Sequence, residues 1–114
     1  MENIIAWAQQ LNCAITVCNT EGTIIYMNEK SGRTFAKWGG LELIGKSLFD
    51  CHSPKSKDTI IRLMEKGETN AYTIEKQGIK KMIYQTPWYK DGKVAGMVEL
   101  SLEIPFEMPH FVRA

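Results

Sequence analysis

Cysteine is scarce in this chain: Cys13, Cys18 and Cys51 are an odd number and form no Cys-x-x-Cys pair. A disulfide framework is therefore excluded, and a reducing, cytoplasmic setting with free thiols is expected. Long apolar runs are missing too. The longest unbroken run, the five residues 4–8, and others such as 82–84 fall far short of the roughly 20 residues that cross a bilayer. The N-terminus carries an acid, Glu2, where a secretory signal would carry Lys or Arg, and it lacks a long apolar stretch, which again points to the cytoplasm. No sign of charge dominates: 14 Lys and Arg against 13 Asp and Glu leave a net charge of +1, so neither nucleic acid nor a membrane surface is an expected partner. Catalysis also lacks its parts. There is no nucleophile with a base and an orienting group, no Gly-rich phosphate loop before a helix and no convincing pair of acids, so an enzyme is not expected. What is present, 114 residues that are 44% hydrophobic and 24% charged, suits one globular domain.

The pattern of apolar residues orders that domain. Ile4, Trp7, Ala8 and Leu11 recur at helical spacing and predict a short amphipathic helix over 2–10 that needs a partner surface. From Asn12 to Asn19 the period changes to two, Thr20-Glu21-Gly22 turns the chain, and Thr23 to Asn28 favours a second strand. Glycines 32, 39, 40 and 45 break the next stretch into short helices such as Glu29–Trp38 and Leu41–Ile44. Ser53-Pro54 then marks a helix start, Ile60, Leu63 and Met64 form its inward stripe, and Lys66-Gly67 marks its end. Three strands follow, Asn70–Lys76, Ile79–Tyr89 and Val94–Ile104, joined at Gln77-Gly78 and Asp91-Gly92. In the last of them Val98, Leu100, Leu102 and Ile104 are expected to pack, and Glu99, Ser101 and Glu103 to face water. Pro105 and Pro109 forbid regular structure in the tail, which is expected to lie against the body. The order implies an α+β fold in which a five-stranded antiparallel sheet has helices packed on one face. The expected divisions are an N-terminal helix over 1–11, a body over 12–104 and a proline-containing tail over 105–114.

Three ordered pieces carry a resemblance to a known family. Residues 15–28 form the first hairpin and end in Asn28, the Leu43-Ile44-Gly45-Lys46-Ser47-Leu48-Phe49 segment precedes the long helix, and Tyr89-Lys90-Asp91-Gly92-Lys93-Val94-Ala95-Gly96 makes the last hairpin. Together they resemble the PAS sensory domain over about residues 12–104. The resemblance implies a small bacterial signalling module whose sheet and helices enclose a pocket for haem, flavin, a metabolite or nothing, and which pairs through flanking helices and the sheet. The run Asp50-Cys51-His52-Ser53-Pro54-Lys55-Ser56 is similar to the Cys-His-Pro-Pro-Lys-Ser motif of a subset of such domains. Where flavin-binding light-oxygen-voltage members carry a photoactive cysteine, this chain has Leu48, which forms no photoadduct. Where the family commonly runs on from Asp-Ile-Thr into an output helix, this chain reads Glu103-Ile104-Pro105 and stops nine residues later, so its signal is expected to leave by non-covalent contact.

Within that frame the candidate ligand-binding residues are Cys51, His52, Ile60, Leu63, Met64, Tyr72, Ile74, Tyr84 and Trp88, expected to line one mostly apolar cavity. Cys51 and His52 precede a helix start, where a thiolate is favoured and an imidazole could ligate haem iron or a metal. Against that, His52 and Ser56 can serve simply to organise the loop and the cap, and haem ligands in this family usually stand within the long helix, where no histidine follows. Tyr84 and Trp88 are in phase on one strand face and could grip a planar ligand, or else fill a core with their own rings. Cys13 and Cys18 point to opposite strand faces and read as packing residues, and His110 as a surface contact. Three functions follow: a sensory module for a small ligand or partner protein, a haem or redox sensor using His52 or Cys51, and a ligand-free dimeric interaction module. In each, a homodimer through the N-terminal helix and the sheet face is expected.

Overall fold

The computed structural model describes residues 6–51 and 53–114, apart from the side chain of Cys51. The predicted N-terminal helix is seen as α1 (Ala6–Gln9); Ile4 lies outside the described residues. β1 (Ala14–Asn19) and β2 (Ile24–Met27) make the first hairpin. Its turn is closed by the Asn19 side chain, whose Oδ1 accepts from the backbone N–H groups of Glu21 and Thr23, both at 3.0 Å, an arrangement that asparagine favours in turns.

Asn28 joins three elements. It is wholly buried, its Nδ2 donates to the carbonyls of Ala8 and Cys13, both at 2.8 Å, and its Oδ1 accepts from the N–H groups of Ile15 at 2.9 Å and Ser31 at 3.0 Å. The last of these bonds caps α2 (Glu29–Thr34). The single helix expected over Glu29–Trp38 breaks at Phe35, and short 3-10 turns follow at Ala36–Trp38, Gly40–Leu43 and Leu48–Cys51. Gly39 and Gly40 have φ of 125° and 58°, conformations that other residues avoid. The third of these turns has no periodic signal in the sequence.

α3 (Pro54–Lys66) follows its sequence signals closely. The Ser53 hydroxyl accepts from the Ser56 N–H at 3.2 Å, Pro54 occupies the first turn, and Gly67 closes the helix in the left-handed region. β3 (Asn70–Lys76), β4 (Ile79–Lys90) and β5 (Lys93–Ile104) form a meander. Its turns, Gln77-Gly78 and Asp91-Gly92, have positive φ at both positions, as the tightest hairpins require. The five strands are antiparallel in the order β2-β1-β5-β4-β3, so β1 and β5, near the two ends of the chain, pair at the centre.

The helices cover one face of this sheet. Cys18, Ile24, Met27, Leu43, Leu48, Ile60, Leu63, Met64 and Met97 form the core between them. Two expectations are corrected here. In β5 the phase is the reverse of the one expected: Ser101 is buried and Glu99 half-buried on the helix side, while Val98, Leu100 and Leu102 stand half-buried on the far side. The reason is pairing, because Ser101 lies opposite Ala14, and Ala14, Thr16 and Cys18 face the helices. The tail does not pack on the body either. Phe106, Met108, Phe111 and Val112 are exposed, and the tie between body and tail is a bond from Lys80 Nζ to the Phe106 carbonyl at 3.4 Å.

Candidate functional site

The helix-facing side of the middle strands carries a row of polar side chains in register. Asn70 on β3 lies opposite Gln85 on β4, Gln85 opposite Glu99 on β5, and Glu99 opposite Thr16 on β1. The row is bonded as well as aligned. Asn70 Nδ2 donates to Gln85 Oε1 at 3.0 Å, Gln85 Nε2 donates to Glu99 Oε1 at 2.8 Å, and at the far end the Thr16 and Ser31 hydroxyls lie 2.6 Å apart. Gln85, Thr16 and Ser31 are buried. Polar groups survive in such a place only when partnered; strand register supplies the partners of Asn70, Gln85 and Glu99, and α2 supplies that of Thr16 through Ser31.

Two spaces flank this row. The outer one, about 190 Å³, opens between the first turns of α3 and the sheet and is lined by Lys55, Ser56, Thr59, Asn70, Tyr72 and Gln85. The inner one, about 30 Å³, is lined by Thr16, Ile24, Met27, Phe35, Leu43, Leu48 and Glu99. Its volume is that of about one or two waters, so a larger occupant requires its walls to move. Leu43 and Leu48 belong to the segment that contains Gly45, whose φ is 93° and beside which an added Cβ would meet nothing. Backbone bonds tie this wall to the first hairpin, from Ile24 N–H to the Lys46 carbonyl at 2.9 Å, from Gly45 N–H to the Ile24 carbonyl at 2.7 Å and from Leu48 N–H to the Gly22 carbonyl at 2.7 Å.

The charge of Glu99 reaches both ends of the site. The Tyr72 hydroxyl is held above its ordinary value first by partial burial and second by the Glu99 carboxylate. The Cys18 thiol is likewise held up, chiefly by burial, with Glu99 adding to the effect. Among the described residues no cation lies within ion-pair distance of Glu99; the ion pairs are Arg33–Glu29 and Arg62–Glu68, both at the surface. The row can thus offer a ligand hydrogen-bonding amides, hydroxyls and one carboxylate, set beside an apolar wall.

The structure divides the residues expected to line a single cavity. Ile60, Leu63 and Met64 stand together on the inner side of α3, in the core. Tyr72 is at the mouth of the outer space, whereas Ile74, on the same strand, sits beside Ile79 and Lys81 in a separate surface dip. Tyr84 and Trp88 are on the opposite face. Tyr84 lies across from Leu100, and Trp88 across from Gly96, and the Trp88 Nε1 donates to the Cys18 carbonyl at 3.0 Å. These two rings therefore share no pocket with α3. His52 and the Cys51 side chain lie outside the described residues. Asn70, Gln85, Glu99 and Thr16 were not anticipated as site residues; no shared periodic signal in the sequence marks them, because strand register brings them into line.

The far face is of another kind. Ile15 and Val17 of β1, Tyr26 of β2, Met82, Tyr84 and Trp88 of β4 and Val98, Leu100 and Leu102 of β5 are half-buried there, with no helix described over them. The Trp88 indole reaches its acceptor across Gly96, where a Cβ would overlap the Cys18 carbonyl. No helix among the described residues is long and apolar enough to cross a membrane.

No curated protein matches the chain significantly. Solved structures with the same fold include the PAS domain of a protein from Colwellia psychrerythraea, with 18% identity and a TM-score of 0.66 over 90% of this chain and 95% of that one. A structure of the Vibrio cholerae VqmA dimer matches with 17% identity and a TM-score of 0.71 over 100% of this chain and 57% of that one, so the chain spans little more than half of VqmA. The Aer2 receptor of Vibrio cholerae, described as a dual PAS-heme oxygen sensor, matches with 14% identity and a TM-score of 0.63 over 82% of this chain and 95% of that one. The family model for the PAS fold matches residues 8–78, more than half of the sequence, and with the sheet order and helix placement described above the chain belongs to the PAS family.

Proposed function

We propose that this chain is a cytoplasmic, non-enzymatic sensory module that binds a small ligand between α3 and the sheet and signals through non-covalent contacts, as a homodimer. In this reading residues 12–104 are the sensing body, flanked by 1–11 and the tail 105–114. The observation that carries it is the bonded row Asn70–Gln85–Glu99 inside an otherwise apolar layer. A core built only for stability gains little from such a row, because well-packed apolar residues serve as well or better; a site that must recognise polar groups needs one. VqmA has been described bound to DPO and as a dimer, which supports a ligand and a pair for this fold. Entry of a ligand would press the 39–51 segment and α3 outward and shift the equilibrium toward an open state.

A second reading, a ligand-free dimeric interaction module, is favoured by the small inner space of about 30 Å³ and by the uncovered apolar far face. The haem or redox reading rests on His52 or Cys51; haem would require a far larger opening than the enclosed space, and bound haem would announce itself in an absorption spectrum.

Native mass spectrometry and an absorption spectrum of freshly purified protein separate the three. Added mass without colour is expected, and Leu63→Trp, which fills the layer at a cost of about 1–3 kcal/mol, should remove it. A colourless protein of bare mass that also takes up nothing from a metabolite mixture would favour the interaction module.

A further inference from the structure

We infer that the ligand is a compact organic cation, an ammonium or protonated nitrogen heterocycle with a small apolar body, whose charged end pairs with Glu99. This rests on the reading that the space between α3 and the sheet is a ligand site, and it names the chemistry that site selects. A carboxylate only accepts hydrogen bonds and has about four lone-pair directions. Glu99 takes one bond, from Gln85 Nε2 at 2.8 Å, and no cation among the described residues pairs with it. The wall beside it consists of Ile24, Met27, Phe35, Leu43 and Leu48, with Thr16 as its polar member. The Thr16 hydroxyl is engaged with Ser31 at 2.6 Å.

The energetics follow from the closure of that wall. A ligand that fills the space takes water away from Glu99, and a desolvated carboxylate without a counter-charge is costly. An anionic ligand adds repulsion, and a neutral one leaves the desolvation uncompensated. A cation with N–H donors compensates it through charge-assisted hydrogen bonds, while its apolar body covers the leucine and methionine wall. Selectivity by charge thus comes from what the site rejects as much as from what it holds. The outer space carries the opposite sign, since Lys55 stands at its mouth, so the cationic end belongs at Glu99 and not near the start of α3.

The test uses the full chain and three probes of nearly one shape: benzylammonium chloride, benzyl alcohol and sodium benzoate, each titrated by calorimetry and by amide chemical shifts. Benzylammonium should bind the wild type at least about tenfold more tightly than benzyl alcohol, with benzoate weakest. Glu99→Gln keeps the shape and a bond to Gln85, and should bring the amine and the alcohol within about twofold of each other. Equal binding of amine and alcohol by the wild type, which needs no variant to fold, overturns the charge assignment and leaves the pocket standing, as does an amine preference that persists in Glu99→Gln. Absence of shifts from all three probes at residues around Leu43 and Leu63 overturns the pocket reading and this inference together.

Discussion

On the helix side, the middle strands present Thr16, Ser101, Glu99 and Gln85; on the other side, the same strands present Ile15, Leu100, Val98 and Tyr84. Hydrophobicity alone would assign these faces the other way round. The helix side tolerates its polar row because Thr16, Gln85 and Glu99 each have a bonded partner, and because Cys18, Met97, Ile60 and Leu63 pack beside it. The far side keeps its apolar residues half-buried with no described helix over them, and contiguous apolar patches are a common form of interaction surface. Burial on the helix side therefore follows partnership, with polar groups inside where neighbouring elements supply bonds, while the apolar residues of the far side are left half-buried.

The contrast is most sharply tested at Gly96, where the far face has no room. Gly96→Ala drives a methyl into the Cys18 carbonyl and displaces the Trp88 indole, so it should cost about 3 kcal/mol or more, read as a fall in the urea midpoint. A wild-type midpoint would show that β1, β4 and β5 are looser than their register indicates. On the helix side, Gln85→Leu leaves Asn70 and Glu99 each without its bond to Gln85, and a loss of about 1–3 kcal/mol is expected in the same experiment. A gain in stability would mean that the row is tolerated only for function.

Leu100→Thr keeps a strand-forming residue on the far face and should cost the single subunit about 1 kcal/mol. Its effect on light scattering should be larger, with the dimer mass falling toward the monomer. Trp7→Ala should act in the same direction, since Trp7 is 68% exposed on α1; unchanged mass in both variants removes the second copy from this surface. The smallest effect concerns the thiols. Cys13 and Cys18 are both held above the ordinary thiol value of 9.0, mainly by burial, so each keeps its proton at neutral pH and should label slowly with a thiol reagent. Because the fold favours the protonated form, their contribution is present below 9.0 and declines as pH rises beyond it. Fast labelling of Cys18 at pH 7 would show that the layer between sheet and helices opens readily.

The elements were legible in the sequence because their boundaries are local chemistry. Ser53-Pro54 and Gly67 delimit α3, and Gln77-Gly78 and Asp91-Gly92 delimit the meander, each by a backbone requirement that one or two residues satisfy. The site was less legible because it is made by register. Nothing near Glu99 in the sequence indicates that Gln85 will stand beside it, and alternation alone gives two faces without saying which one the helices cover. The same ambiguity placed Tyr84 and Trp88 with α3. The 3-10 turn at Leu48–Cys51 was missed for a simpler reason, since four residues are too few to show a period.

The central pairing of β1 with β5 also has a bearing on how the protein comes into being. A two-stranded hairpin is at best marginally stable, so β1 and β2 must wait for a partner that lies near the other end of the chain. At typical rates of synthesis, the roughly 70 residues between them take about 4–15 s to emerge. Throughout that interval an edge of unpaired backbone and an apolar strand face are open to other nascent chains. By contrast, the β4–β5 ribbon folds back over a two-residue turn and can zip within microseconds of its own completion. Its arrival closes the sheet in one late, long-range step, which makes the β1 edge the point where misassembly competes with folding.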